Sequence, residues 1–196
     1  MKKVKVDGMI LATFLTTLFY ASTYPFIHKQ LMTQVSDNLI ALNSIIDCVS
    51  VIVMGGIWNR WSKRIFKYYP LFCILETIVT VVIAVWVLQT NNLAAYYILN
   101  TLEFSVITRN MVCGGTRLRI LRYVTEEERE HYTNNNNSAD ALATIIGSCI
   151  AMILHLPFQV MLILATFGNC IDNTFYLFIY YATVRKAETR NHHNEE

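Results

Sequence analysis

The chain reads as an all-α membrane protein of six transmembrane helices in a 3+3 bundle, with N- and C-termini cytoplasmic. Three observations predict this class. Fourteen of the sixteen lysines and arginines lie at the chain ends and in two internal loops. Between those basic stations run apolar stretches close to the roughly 20 residues that a helix needs to cross a bilayer. Hydrophobic residues make up 54% and charged ones 15%, which would leave a soluble chain with more apolar surface than it could bury.

The first span, near 9–28, follows Lys2, Lys3 and Lys5 and is long, with Pro25 inside and no small-residue cleavage pattern, so it is expected to be retained as a span. Thr13, Thr17, Tyr20, Tyr24 and His28 recur at steps of 4, 3, 4 and 4, one polar and aromatic stripe that lipid would not solvate. The second span, near 38–58, carries Asn43, Asp47 and Ser50 on one face and ends at Arg60, Lys63, Arg64 and Lys67. The third, near 68–89, holds Glu76, and the uncharged Gln89-Thr90-Asn91-Asn92 joins it to the fourth, near 92–113. There Tyr96, Asn100, Glu103 and Asn110 share a face, with Arg109 on nearly the opposite side from Glu103. Arg117, Arg119, Arg122 and Arg129 mark the loop 117–138 as cytoplasmic. Its first half reads as an amphipathic turn and its asparagine run, 134–137, as flexible.

The fifth span, near 139–156, places Asp140, Thr144, Gly147, Ala151 and His155 on one side, a small-residue face suited either to a dimer contact or to packing inside the bundle. The sixth, near 159–183, clusters Asn169, Asp172 and Asn173. Arg185, Lys186 and Arg190 follow, in or beside the polar cytoplasmic tail 186–196. Positive charge therefore falls on one side at every crossing, with Lys29 the outside exception.

The loop after the second span has the residues Gly56, Asn59, Arg60, Lys63 and Arg64. It resembles the G-x-x-x-D-R-x-x-R/K-R/K motif of major facilitator superfamily transporters, with Asn59 where that family has Asp. Arg109 and Gly114-Gly115, and Glu128-Arg129 ahead of Gly147, add to the resemblance. At this length the chain corresponds to one six-helix half. The resemblance implies that the first and fourth spans line a cavity while the second and fifth face a partner half. The loop motif is expected to form a gate, with Arg109 either a modulating counter-charge or a cytoplasmic structural pair for Asp140.

Ionisable groups inside a bilayer cost at least about 2.5–3.5 kcal/mol unless they find water or a partner. Asp47, Glu76, Glu103 and Asp172 stand against the single span base Arg109, so they cannot all pair, and the excess of acid favours a cationic or neutral substrate. Glu103 and Asp47 are the expected proton-coupling carboxylates. The expected function is a half-sized facilitator-type secondary transporter of a small molecule, proton-coupled and working with a second copy of itself or a separate six-span half. The alternative is a non-transporting accessory, immunity or regulatory subunit bound to a partner membrane protein. A bacterial cytoplasmic membrane suits the short loops. Cys48, Cys73, Cys113, Cys149 and Cys170 lack paired spacing, and no zinc-protease or phosphate-loop motif occurs, so no enzyme activity, metal or cofactor is expected. No aromatic-interleaved basic face points to nucleic acid.

Overall fold

A computed structural model describes residues 4–107, 121–154 and 156–185. Among these the regular elements are all helical: α1 Val4–Gln34, α2 Asp37–Lys67, α3 Tyr69–Thr90, α4 Leu93–Glu103, α5 Glu126–Ile153 and α6 Phe158–Tyr180. A wider turn, 104–107, extends α4, and another, Tyr181–Arg185, extends α6. Among the described residues four stretches are long and apolar enough to cross a membrane: Val6–Gln34, Asp37–Ile57, Tyr69–Thr90 and Phe158–Tyr180. The chain is therefore a multi-pass helical membrane protein.

The connections have local causes. At the end of α3, Asn91 adopts the left-handed conformation (φ 50°) and its N–H donates to the Val87 carbonyl. Asn92 then caps α4, its side chain accepting from the Ala95 N–H at 3.1 Å. Two residues thus reverse the chain, because asparagine tolerates positive φ and supplies a cap.

α5 starts earlier than the hydropathy pattern indicates. The segment expected to be a turn followed by a flexible asparagine run is continuous helix from Glu126. Thr125 and Glu128 form a reciprocal capping box that nucleates it. Further along, Asn135 donates to the His131 carbonyl at 2.8 Å, and His131 Nε2 lies 2.9 Å from Asp7 Oδ1 on α1. Asparagine disfavours helix by only about 0.7 kcal/mol per residue, which a docked neighbour overrides. Thr125→Ala should therefore fray this stub and lower stability by about 1 kcal/mol, read as a lower unfolding midpoint and faster amide exchange over 126–135. The basic motif after Gly55 is also helical: α2 continues to Lys67, and Tyr68 alone separates it from α3.

α1 is the central helix. It packs along α5 in parallel, with Asp7 beside His131, Thr17 beside Asp140 and Ala21 against Gly147. It packs along α6 in the opposite sense, with Gly8 near Ile179 and Phe19 on Gly168. α3 crosses α6 and α4, and α2 lies against α4. Outward faces of α2 and α3, including Ile45, Ile52, Ile78 and Val82, are exposed apolar surface of the kind lipid covers.

Two apolar cores stand at opposite ends of the bundle. Val6, Met9, Tyr69, Cys73, Tyr176 and Val184 belong to the core at the end nearer the chain termini. Ile27, Leu31, Val87, Leu93 and Met161 belong to the core at the far end. Between these cores lie most of the buried polar side chains.

Candidate functional site

The buried polar layer is held by side chains from several helices. Asn169 on α6 donates to Thr80 Oγ1 on α3 at 3.2 Å, and the Thr80 hydroxyl donates to Glu103 Oε1 on α4 at 3.2 Å. A second bridge runs from Asn173 Nδ2 to Thr77 Oγ1 at 3.1 Å. Glu76 and Asp172, neighbours of these bridging residues in sequence, are buried as well. Each hydrogen bond satisfies a group that hydrocarbon would leave bare, and such interhelical bonds average about 0.6 kcal/mol in membranes. Together they join α3, α4 and α6 through a layer that contains ionisable groups.

On the other side of α4, Asn43 Nδ2 donates to Thr101 Oγ1 at 2.7 Å, and the Ser105 hydroxyl donates to Asp47 Oδ1. Asp47 is thus tied to α4, one helix away from Glu103.

The second polar surface is open. Tyr20 and Tyr24 stack with ring centroids 4.5 Å apart and planes 17° from parallel, and Tyr24 stacks on His28 at 5.6 Å. All three are exposed on one flank of α1. Below Tyr20, the Thr17 hydroxyl donates to Asp140 Oδ1 on α5 at 2.6 Å. The stripe expected along α1 divides at this level: Thr13 is half-buried, and its hydroxyl finds no hydrogen-bond partner among the described residues.

The two expected cavity faces therefore differ in character. The α1 face is exposed from Tyr20 outward. On α4, Tyr96 and Glu103 point inward and are buried, with Asn100 intermediate. Tyr96 packs edge-on to Phe158 at the start of α6.

Among the motif residues, Gly56 and Arg60 lie on α2, and a Cβ at Gly56 would meet nothing within 4 Å among the described residues. Among the described residues of a single copy this glycine makes no close helix approach. Arg60 instead lies over the Trp61 ring, 5.9 Å from its centroid. The side chains of Asn59, Lys63 and Arg64 lie outside the described residues, as do Arg109, Asn110 and His155 altogether. Asp140, expected to pair with Arg109 at a gate, has Thr17 as its described partner. The small face of α5 is used inside the bundle, where Ala143, Gly147 and Ala151 are buried.

Sequence reasoning missed Thr77, Thr80, Thr101 and Ser105 as partners of the amides and acids. A hydroxyl in a membrane helix can bond its own backbone, as Thr77 does to the Cys73 carbonyl at 2.9 Å, so its presence alone does not signal a cross-helix role. It also missed that Asp140 joins the α1 stripe. The only available signal was the shared phase of Asp140 with Gly147 and Ala151, which marks a packing face without naming the helix it meets.

Comparison with known proteins finds no matching family model, no matching curated protein and no matching solved structure.

Proposed function

We propose that the chain is a half-sized, facilitator-type secondary transporter of a small molecule. It works as a proton-coupled homodimer, with six spans and both termini on the cytoplasmic side of a bacterial membrane. The observation that carries this reading is an exchange relation in the packing. Swapping α1 with α4, α2 with α5 and α3 with α6 returns nearly the same set of neighbours: α1 packs on α5 and α6 as α4 packs on α2 and α3, and α3 packs on α6, while the slight α2–α3 contact has no equal between α5 and α6.

A chemical detail follows the same exchange. Thr17 of α1 donates to Asp140 of α5, and Ser105 beyond α4 donates to Asp47 of α2. Each hydroxyl stands about three and a half turns from the start of its helix. Because α1 and α4 run in opposite senses, the relation is that of an inverted repeat, the arrangement from which alternating-access carriers are built. An inverted repeat gives a bundle two related arrangements, facing opposite sides of the membrane.

A second copy supplies the missing wall. Lipid gives no hydrogen bonds to the Tyr20, Tyr24 and His28 flank, whereas a facing bundle encloses it as a water-filled cavity. Glu103 and Asp47 are the coupling carboxylates, each hydrogen-bonded to a hydroxyl on a neighbouring helix, so a proton gained or lost changes a helix contact.

Native mass spectrometry of the purified protein in detergent should give a homodimer, and the same preparation in liposomes should move protons when substrate is supplied. A monomer that is silent in liposomes and co-purifies with a different membrane protein would replace this reading with the accessory-subunit one.

A further inference from the structure

We infer that the open flank of α1 and α5 is a binding site for an organic cation, which rests on the carrier reading for its role as a substrate site. The ligand class follows from the groups brought together. Tyr20, Tyr24 and His28 form one aromatic column along α1, and Tyr20 is 54% exposed. One turn below it, α5 contributes the Asp140 carboxylate, held in place by the Thr17 hydroxyl. Aromatic faces carry negative quadrupole density and attract a cation placed within about 6 Å. The carboxylate adds a full negative charge at the base of the column.

Other ligand classes fit less well. Residues 6–28 on the α1 side and 130–153 on the α5 side contain no lysine or arginine, and Lys29, just past His28, stands nine residues beyond Tyr20, roughly 13 Å along the helix, so neither stretch sets a lysine or arginine beside the carboxylate end of the column. A bare metal ion needs several donors, and no group of three or more His, Cys, Asp or Glu that could hold one occurs among the described residues. A neutral solute seated on the rings would cover the exposed Asp140 carboxylate without supplying a charge to compensate it. A quaternary ammonium or phosphonium group satisfies both features, covering the rings with its apolar shell and the carboxylate with its charge.

The test is equilibrium binding of radiolabelled tetraphenylphosphonium to the purified dimer in nanodiscs, with empty nanodiscs subtracted. Saturable binding is expected, displaced by benzyltrimethylammonium and untouched by benzyl alcohol at the same concentration. Tyr20→Leu and Asp140→Asn should each weaken it about tenfold, while Tyr20→Phe, which keeps the ring, should bind like the parent. Tyr20 is exposed, so its variants leave the interior packing unchanged, and a matching gel-filtration profile verifies each preparation. Equal displacement by benzyl alcohol, or parent-like binding by both Tyr20→Leu and Asp140→Asn, overturns the assignment. The two readings fail separately. Cation binding without flux in liposomes removes the carrier and leaves the site; flux of a neutral or anionic solute with no cation binding removes the site and leaves the carrier.

Discussion

Gly147→Ala should destabilise the bundle by about 1–3 kcal/mol, against the helix-propensity gain of about 1 kcal/mol that the same change gives at an open helical site. A Cβ at Gly147 would stand 2.8 Å from both the Leu18 carbonyl oxygen and the Ala21 Cβ, and 3.1 Å from the Ser22 nitrogen. Two of these are backbone atoms of α1 and cannot rotate away, so α5 must lift from the central helix. Gly55→Ala is the matched control, because a Cβ there meets nothing within 4 Å among the described residues. The control should be neutral or stabilising. Unfolding midpoints in detergent read both signs, and equal midpoints for the two variants would show that α5 does not sit on α1 at this closeness. Gly168→Ala should behave like Gly147→Ala, since its Cβ would lie 2.6 Å from Phe19 Cβ.

Glu103→Gln should abolish proton movement coupled to substrate, a loss of at least about tenfold on the scale of general acid–base effects, while the protein folds normally. Glutamine keeps an oxygen that can accept from Thr80, as Glu103 Oε1 does at 3.2 Å, so the Asn169–Thr80 chain stays intact. What it removes is the capacity to take up and release a proton inside the bundle. The readout is an internal pH dye in proteoliposomes. Substrate exchange in the absence of a proton gradient should persist, which separates lost coupling from lost folding. Parent-like proton movement would remove Glu103 from the mechanism and leave Asp47, tied to Ser105 on the far side of α4, as the remaining candidate.

Much of the architecture was legible because hydropathy and length act on each helix separately. The long apolar runs around Val6–Gln34, Tyr69–Thr90 and Phe158–Tyr180 declare themselves as membrane helices without reference to any neighbour. The start of α5 was not legible, since its polar first half has no apolar signal and owes its helicity to the Thr125–Glu128 cap and to docking through Asp7 and His131. The candidate site was legible in part. The period of Tyr20, Tyr24 and His28 put them on one face, but the exposure of that face and the inward turn of Tyr96 and Glu103 depend on which helices pack beside them.

The sequence by itself determined that this is a helical, multi-pass membrane protein carrying acids within its apolar segments, because the transfer of backbone and side chains out of water is decided residue by residue. Only the tertiary structure decided that Asp140 meets Thr17, that Thr80 links Asn169 to Glu103, and that the small face of α5 is spent on α1. Those pairings depend on how helices far apart in the chain are rotated and set in depth against one another. Packing between helices decides that, and it leaves no periodic trace in either helix alone.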